Sequence, residues 1–200
     1  MLLYPLFMRS SISYKKRSEL ERVLKNCTKS KVYQRAQALT PPLYCCYGWV
    51  GQQVCVPVTG SRAKRIIHGV LNITTGDLLL LITEVWDQVT HQCFLKMMRA
   101  HWRGWQIVLF EDRGSPHTAE DSFTLAATLN IEVRLLPRAY PELNAMDHLF
   151  RSVKGRGLVN RPTISIDDSA QAACDYLYAL SRHERLVKAG VLSGNFWLAA

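Results

Sequence analysis

The sequence predicts an α/β protein with a mixed sheet, and three observations support this fold class. Two short and nearly continuous apolar runs, "WQIVLFED" (105–112) and "IEVRLLP" (131–137), are typical of strands that are buried on both faces. A hairpin pattern precedes them, and helical patterns lie between and after them. The order hairpin, helix, strand, helix, strand, helix therefore indicates antiparallel strands joined to parallel ones, with helices covering the sheet.

The composition is that of a globular chain and excludes several other classes. At 200 residues and 48% hydrophobic content, the chain suits one domain with its own core. Its longest apolar runs stop far short of the roughly 20 residues that a membrane-spanning helix needs, so we expect a soluble cytoplasmic protein that is not exported. The six cysteines follow no zinc-ligand or disulfide spacing, which predicts reduced thiols and neither kind of site.

Positive charge is concentrated at the N-terminus. Residues 1–65 hold 12 Lys and Arg against two Glu, a net charge of +10, whereas residues 66–200 hold 13 against 14 acidic residues, a net charge of −1. A basic segment beside a neutral domain is a common footprint of nucleic-acid binding, because each phosphate contact releases a counterion. The alternative is a solvated basic face that only keeps the protein soluble.

The N-terminal half is predicted to begin with a helical arm and to lead into a hairpin. Residues 18–27 carry apolar positions at helical spacing after a Ser N-cap, which predicts a short amphipathic helix. Residues 40–60 are rich in Pro, Gly and aromatic residues and are typical of a loop. The runs "AKRIIHGVLNI" and "LLLLITEV" flank "TTGD", and together they predict a hairpin whose turn contains Gly76.

Helices and strands alternate after the hairpin. Residues 87–102 are predicted to form a helix. Helical spacing would place Val89, Cys93, Met97 and Ala100 or His101 on one side of it, the predicted buried stripe. The run "TAEDSFTLAATLN" predicts a second helix, with Thr118 or Ser115 as its N-cap. From Glu142 onward the sequence is predicted to be helical, including "SIDDSAQAACDYLYALS".

Two aspartates stand where an α/β sheet places its ligands. Asp112 ends a buried strand, and Asp147 opens a helix that follows the next strand. With parallel strands, both carboxylates would emerge at one edge of the sheet, where they could hold Mg²⁺, which often takes only one or two carboxylates. A pair of such ions clamps the attacking and leaving oxygens of a phosphoryl displacement. The alternative is structural: Asp112 caps a turn, and Asp147 interacts favourably with a helix dipole.

Two longer motifs support the catalytic interpretation. "VLFEDRGSPHT" (108–118) and "LPRAYPELNAMDHLFRSVKGR" (136–156) resemble signature motifs of the DDE transposases of mariner-like bacterial insertion sequences. "GWVGQ" (48–52), the hairpin and the tail "ERLVKAGVLSGNFWL" (184–198) extend the resemblance, which covers roughly residues 40–198. It implies a ribonuclease H-like fold, Mg²⁺ or Mn²⁺ as the cofactor, and cleavage and joining of DNA at transposon ends in a bacterial cytoplasm.

The resemblance assigns roles to residues within these motifs. Asp112 matches the second metal-binding carboxylate of the family and Asp147 matches the third. His117 matches the motif histidine, Lys154 matches the helix lysine, and residues 141–144 match the turn. The resemblance thus implies that Asp112, Asp147 and His117 are catalytic and that the two aspartates are the metal ligands.

The first catalytic aspartate of the family has no counterpart. Counting back from "PPL" places it near Tyr33, and residues 1–76 contain no aspartate. Asp77 is predicted to lie in the hairpin turn, away from the catalytic edge, and Asp87 at the correct edge but two strands away. Phe150 replaces the usual tryptophan but keeps an aromatic anchor. In-line phosphoryl transfer depends on positioning and charge neutralisation, so the missing ligand predicts the loss of most activity.

Basic residues outside the acidic motifs are candidates for DNA contact. Hairpin charges can bind the DNA backbone, or they can only solvate an exposed strand, and the same alternatives hold for the arm. We predict DNA contact for Arg62, Lys64 and Arg65 of the hairpin, for Lys15, Lys16 and Arg17 of the arm, and for Lys154.

Two functional hypotheses follow. In the first, the protein is a DDE transposase, a metal-dependent endonuclease and strand-transferase, in a truncated or degenerate copy. In the second, it is a non-catalytic DNA-binding remnant that pairs with or regulates an intact transposase; a homodimer is also possible in either case. Both share one predicted organisation: a basic arm (1–30), a ribonuclease H-like domain (31–160) and a helical extension that packs on it (161–200).

Overall fold

A five-stranded mixed sheet forms the centre of the fold. The computed structural model describes residues 30–39, 63–138, 140–156, 165–194 and 196, with residues 30–39, 141, 155 and 156 given by their backbone alone. The strands are β1 (Ser30–Leu39), β2 (Arg65–Asn72), β3 (Leu78–Thr83), β4 (Ile107–Glu111) and β5 (Ile131–Leu135). Their order is β3-β2-β1-β4-β5; β2 is antiparallel to β1 and β3, whereas β1, β4 and β5 are parallel. The predicted α/β fold class and hairpin are confirmed.

Helices cover both faces of this sheet. They are α1 (Gln88–His101), α2 (Glu120–Thr128), α3 (Ala145–Arg156), α4 (Ile166–Ala179) and α5 (Arg182–Lys188), with one 3-10 turn at Pro141–Leu143. Phe94 of α1 and Leu109 of β4 belong to one buried cluster, whereas Met146 of α3, Leu177 of α4 and Phe110 of β4 belong to another. Each such buried side chain stabilises the fold by about 1.5–3 kcal/mol. We call the two faces the α1 side and the α3 side.

Helix α1 is confirmed, but its buried face is not the predicted one. The predicted stripe is largely exposed: Val89, Cys93, Ala100 and His101 face solvent. The buried stripe, at the helical spacing i, i+3, i+4 and i+7, consists of His91, Phe94, Leu95 and Met98. The difference arises because His91, a polar residue in any hydrophobicity pattern, begins the buried stripe.

Helix α2 is confirmed without its predicted cap. Its N-cap is Ala119, and no side chain makes a capping hydrogen bond there. The hydroxyl of Thr118 instead donates to backbone carbonyls of the preceding loop, those of Gly114 and Ser115, both at 3.3 Å. The first turn of α2 carries Glu120, whose charge the helix dipole favours.

Helix α3 lies close to β2 because position 69 is a glycine. A Cβ atom at Gly69 would lie 2.6 Å from Met146 Cε and 2.9 Å from Phe150 Cζ. Phe150 is buried, so the aromatic anchor predicted for this position is confirmed. This close packing holds the first turn of α3, which contains Asp147, against the sheet.

Strand β1 lies at the centre of the sheet, although hydrophobic periodicity does not reveal it. Its sequence, "SKVYQRAQAL", is largely polar, and only the family resemblance indicates a first strand here. Tyr33 pairs with Leu71 of β2 and with Phe110 of β4. Both partners belong to the buried cluster of the α3 side, so position 33 is in register with that side.

The C-terminal helices pack on the hairpin. The buried Arg185 of α5 donates to the carbonyls of Tyr178, at 2.8 Å, and Gly76, at 3.3 Å. Phe196 is buried in the cluster of the α3 side, whereas Trp197 lies outside the described residues. The division of the chain into arm, domain and extension stays a prediction. Among the described helices, none has the length and hydropathy that crossing a membrane requires.

The two ends of the sheet carry different loops. At the carboxyl end, β1, β3, β4 and β5 finish and β2 begins. At the turn end, the β2–β3 turn is held by Asp77, whose Oδ2 lies 3.1 Å from Trp102 Nε1 and 2.9 Å from His101 Nε2. The backbone N–H of Leu78 donates to the other oxygen at 3.1 Å. Asp77 therefore lies away from the carboxyl end, as predicted.

Candidate functional site

Asp112 leaves the sheet at the carboxyl end, directly after β4. Phe110 belongs to the buried cluster of the α3 side and Leu109 to that of the α1 side. Because successive side chains of a strand point to opposite faces, position 112 continues the α3 side and Glu111 the α1 side. Two acids that are adjacent in sequence are thus assigned to different faces.

The structure brings Asp112 and His117 together. His117 Nδ1 lies 2.8 Å from Asp112 Oδ1, and because an ionised carboxylate only accepts, Nδ1 carries the proton and donates. The backbone N–H of Gly114 donates to the same oxygen at 3.0 Å. The Asp112 side chain is 41% exposed, whereas that of His117 is 0% exposed. The buried histidine therefore orients a carboxylate that solvent can reach.

A tryptophan from a second loop packs on the Asp112 loop. The ring of Trp86, in the β3–α1 connection, meets the ring of His117 edge-on, with centroids 5.9 Å apart. A Cβ atom at Gly114 would lie 2.5 Å from Trp86 Cζ2, so the ring can approach this backbone only because residue 114 is glycine. The two loops are thereby packed together at the carboxyl end.

Asp147 lies in the first turn of α3. Its backbone N–H donates to the carbonyl of Asn144 at 3.0 Å, and the buried side chain of Asn144 accepts from the N–H of Met146 at 3.0 Å. Met146 and Leu149 are buried in the cluster of the α3 side, and Asp147 between them is half-buried. Asp112 and Asp147 are therefore both associated with the α3 side.

Three potential ligand side chains are buried together on the α1 side. His91 of α1, Glu111 of β4 and His117 are each 1% exposed, and each offers a ligand atom within 4.8 Å of the other two. His91 Nε2 lies 3.8 Å from Glu111 Oε2, too far for a hydrogen bond, and the rings of His91 and His117 have centroids 4.7 Å apart. Within the described residues, Glu111 Oε2 and His117 Nε2 make no hydrogen bond.

Burial dominates the protonation of this cluster. It raises the pKa of Glu111 to about 8. Burial, reinforced by the nearby His117, lowers the pKa of His91 to about 3 and that of His68 to about 4. For His117 burial acts in the same downward direction, but the bond to Asp112 and the charge of Glu111 outweigh it, so its pKa is raised. His91 is neutral near pH 7, and its contact with Glu111 is not an ion pair.

The predicted DNA-binding residues differ in their surroundings. Arg65 is engaged by acids: its guanidinium nitrogens lie 2.6 and 2.9 Å from the Asp167 carboxylate and 3.3 Å from Glu84. Lys64, at the same carboxyl end, is exposed, and so is Lys154 on α3. Outside the described residues lie Arg62, Lys15, Lys16 and Arg17.

Strand β1 contains no acidic residue. Asp87, the aspartate predicted to lie at the correct edge, is the N-cap of α1, where its side chain accepts from the N–H of Thr90 at 2.8 Å. The Thr90 hydroxyl in turn accepts from the Asp87 N–H at 3.2 Å, completing a capping box. Asp87 therefore has a structural role that accounts for its position.

A surface cleft of about 610 Å³ lies at the turn end of the sheet, remote from these acids. It is lined where β4 and β5 begin, by residues that include Gln106, Ile107 and Ile131. None of the predicted site residues lines it.

Sequence reasoning did not identify His91 and Glu111. They come from a helix and a strand, and with His117 from a loop they form no local motif, so their spacing carries no recognisable signal. The available signal for His91 is a histidine at i, i+3, i+4 spacing from the apolar residues Phe94 and Leu95. For Glu111 it is an acid inside an otherwise apolar strand run.

Comparisons with known proteins agree with this architecture. A family model described as DDE superfamily endonuclease matches residues 45–168. The solved structure of a Mos1 transposase paired-end complex with left transposon end has a TM-score of 0.68 and 14% identity, covering 98% of this chain and 64% of that chain. The Mos1 mariner paired-end complex with Mn has a TM-score of 0.70 and 17% identity, with coverage of 98% and 64%.

The isolated catalytic domain of Mos1 mariner transposase is also similar, with a TM-score of 0.61, 15% identity, and coverage of 96% of this chain and 92% of that domain. At these identities the likeness establishes the fold, and the predicted ribonuclease H-like fold is confirmed. The chain spans somewhat less than two thirds of the Mos1 chains in the two complexes. No curated protein sequence shows a significant match.

Proposed function

The chain belongs to the family of DDE superfamily endonucleases, and we propose that it acts on transposon-end DNA by metal-dependent phosphoryl transfer. In this proposal it is a truncated or degenerate copy of a bacterial insertion-sequence transposase, with two of the three family acids. The catalytic residues are Asp112 and Asp147, with His117 as the residue that positions Asp112.

The observation that carries this proposal is the bond between Asp112 and His117 at the carboxyl end of β4. The buried imidazole restrains a carboxylate that is otherwise accessible, which is the arrangement a metal ligand needs. The position of Asp147 on α3 also supports the proposal, because the neighbouring residue Met146 is buried in the same cluster as Phe110 of β4. Ligands in α/β sheets bind at the carboxyl ends of strands, where Asp112 stands.

The donor set fits a hard divalent cation. Two carboxylates, one of them 41% exposed, suit Mg²⁺ or Mn²⁺, which take oxygen ligands and keep several waters. Asp112 and Asp147 would hold the ion, and His117 would keep the Asp112 oxygen in place. When bound, the ion would stabilise the negative charge that develops on the transferring phosphoryl group.

The lack of an acid on β1 limits the expected rate. A two-metal site needs a carboxylate that contacts both ions, and two acids alone leave that position without a protein ligand. We therefore expect slow cleavage that Mn²⁺ supports better than Mg²⁺, because Mg²⁺ demands nearly ideal octahedral geometry.

A second candidate function is favoured by the lack of an acid on β1. If β1 without an acid cannot support cleavage, the chain would act as a DNA-binding remnant that pairs with an intact transposase or with a second copy. The net charge of +10 in residues 1–65 and the exposed Lys64 and Lys154 would supply its affinity.

Nicking of supercoiled plasmid in Mn²⁺ tests the catalytic proposal. We expect weak nicking by the wild type, and background nicking by Asp112→Asn. The matched control is Asp77→Asn, the same substitution at the turn end, which should nick like the wild type. Equal background nicking by the wild type and Asp112→Asn, with both folded by circular dichroism, would reject catalysis and leave the second candidate.

Fluorescence anisotropy with duplex DNA at several salt concentrations tests binding. We expect affinity to fall steeply with salt, because phosphate contacts release counterions. Replacing Lys15, Lys16 and Arg17 together by Gln should reduce that slope, whereas Lys96→Gln on α1 should leave it unchanged. No binding at low salt would reject both candidate functions.

A further inference from the structure

Two of the three side chains in the cluster on the α1 side, His91 and Glu111, have no part in the proposed reaction. His91, Glu111 and His117 are buried to about the same extent, 1% exposed each, and they offer two imidazole nitrogens and a carboxylate oxygen to one point. We propose that these three side chains form a binding site for a zinc-class divalent transition-metal ion behind Asp112. This inference goes beyond the proposed function and does not rest on it.

Unpaired polar atoms argue for a ligand at this point. Glu111 Oε2 and His117 Nε2 are buried, and within the described residues neither makes a hydrogen bond. A buried polar atom without a partner costs about 1–3 kcal/mol, so buried polar groups in folded proteins are nearly always satisfied. A cation between the three donors would satisfy both atoms.

The tautomer of His117 suits metal binding. Its Nδ1–H donates to Asp112 Oδ1 at 2.8 Å, which leaves the Nε2 lone pair directed away from Asp112. Histidines that bind metals usually donate their other ring N–H to a carboxylate in this way, which fixes the ring and strengthens the ligand. Asp112 would thus orient a ligand of the buried ion, while its exposed side faces the proposed catalytic site.

The distances and donor types favour zinc over magnesium. The three donor atoms lie within 4.8 Å of one another, and His91 Nε2 is 3.8 Å from Glu111 Oε2. Donors bound at about 2.1 Å to a tetrahedral ion are about 3.4 Å apart, so side-chain movements of about 1 Å would complete the site. Imidazole nitrogens are ligands of Zn²⁺ and other transition metals, whereas Mg²⁺ prefers oxygen. The three protein donors leave one tetrahedral position for water.

Zinc retention by the full chain, prepared without a polyhistidine tag, tests this proposal. The chain is stripped with EDTA, loaded with Zn²⁺ alone and desalted, and the bound metal is measured by mass spectrometry. We expect the wild type to retain one Zn²⁺ per chain and to melt at a higher temperature with it. Glu111→Gln, which keeps the side-chain size but removes the anionic donor, should bind at least about tenfold more weakly. If Glu111→Gln fails to fold, His91→Gln takes its place.

Two controls separate this site from other donors. His101→Gln removes a histidine that also lies beside an aspartate, 2.9 Å from Asp77, but at the turn end, and it should retain zinc like the wild type. Substitution with Co²⁺ should give weak visible bands without an intense near-ultraviolet thiolate band, because no cysteine is a proposed ligand. Asp147→Asn should also retain zinc, since Asp147 is not a ligand of this site.

The outcomes are distinct. No zinc retained by the wild type, equal retention by Glu111→Gln and His91→Gln, or a cobalt spectrum dominated by thiolate would each overturn the site. A chain that retains zinc through His91 and Glu111 but does not nick DNA would support this site and reject only the catalytic proposal. A chain that nicks DNA without retaining zinc would support the catalytic proposal and reject only the zinc site.

Discussion

The two ends of the sheet each hold an aspartate beside a histidine, and the two pairs differ in whether the histidine is buried. At the turn end, Asp77 lies 2.9 Å from His101, whose side chain is 38% exposed. At the carboxyl end, Asp112 lies 2.8 Å from His117, whose side chain is 0% exposed. The distances are nearly equal, so the hydrogen bond alone does not distinguish a structural pair from a candidate site.

The surroundings of each carboxylate explain the difference. Burial alone would raise the pKa of Asp77, but the bonds from His101, Trp102 and Leu78 outweigh it and lower the pKa. Those donors belong to the turn and to α1, so Asp77 ties one end of the fold together. Asp112 instead accepts from a buried imidazole, that of His117, which has a ligand atom within 4.8 Å of the buried acid Glu111. A carboxylate that a buried histidine restrains and that is 41% exposed to solvent is the one suited to binding a ligand.

The largest effect is expected from restoring an acid to β1. Position 33 pairs with Phe110, two residues before Asp112, and with Leu71, and both partners belong to the cluster of the α3 side. Tyr33→Asp should therefore increase Mn²⁺-dependent plasmid nicking on the order of 100-fold, the usual effect of one electrostatic contact to a transition state. Tyr33→Asn is the matched control without charge. No increase in a folded Tyr33→Asp variant would contradict an incomplete DDE site at the carboxyl end.

Acidification should destabilise the carboxyl end before the turn end. His68, bonded through Nε2 to Thr83 at 3.1 Å, has its pKa lowered by burial to about 4. His68 binds a proton near pH 6.5 in the unfolded chain but only near pH 4 in the folded chain. The contribution of neutral His68 to stability is therefore present above about pH 6.5 and is lost as the pH falls towards 4. The loss is up to about 1.4 kcal/mol per pH unit, measured by urea unfolding.

His68→Gln should reduce this slope of stability with pH. An unchanged slope between pH 6.5 and 4.5 would show that His68 is not responsible. The lowered pKa of Asp77 has the corresponding effect at lower pH: its contribution is present above the ordinary aspartate pKa and is lost only as the pH falls through the folded value. The two ends of the sheet therefore lose stability in different pH ranges, the carboxyl end at the higher pH.

Asp77→Asn should destabilise the fold by about 1–2 kcal/mol, because His101 and Trp102 lose a charged acceptor. Thermal or urea unfolding measures this change. Nicking per folded molecule should equal that of the wild type, since the turn end is remote from Asp112. A loss of nicking by a fully folded Asp77→Asn variant would instead mean that the two ends of the sheet are coupled.

The smallest effect is expected from two neighbouring basic residues at the carboxyl end. Lys64→Gln should lower the slope of log Kd against log salt by about 1, the value for one lost phosphate contact. Arg65→Gln should lower it less, because Asp167 and Glu84 already neutralise the guanidinium. Anisotropy titrations of both variants measure the slopes. Equal reductions would show that Arg65 leaves its acidic partners when DNA binds.

Periodicity predicted the elements that are strongly patterned and failed where tertiary contacts decide. Strands β2 and β4 follow from runs of apolar residues, and both are buried on both faces. The same prediction was wrong for β5, which is only half-buried after Ile131 because it lies at the edge of the sheet. Strand β1 is largely polar, and its central place comes from pairing with β2 and β4 rather than from its own pattern. The prediction of which face of α1 is buried was wrong, because His91 is buried among other polar groups, which no hydrophobicity scale anticipates.

The candidate site divides in the same way. Motif resemblance indicated Asp112, Asp147 and His117, and it predicted that the family's first acid would lie near Tyr33. It could not indicate that His117 bridges Asp112 to a second group of donors. His91 and Glu111 reach that group only because α1 packs against the face of β4 that Glu111 shares with Leu109.

By itself, the sequence determined the alternation of strands and helices, the acids that end β4 and open α3, and the lack of any acid on β1. These are local properties, set by side-chain periodicity and by which residue occupies each position. Only the tertiary structure decided that Asp77 accepts hydrogen bonds at both carboxylate oxygens and that Asp112 is the more exposed of the two aspartates. It also decided which distant side chains meet in the interior. Burial and the approach of separate elements set those properties, because the cost of an unpaired buried group depends on every neighbour that surrounds it.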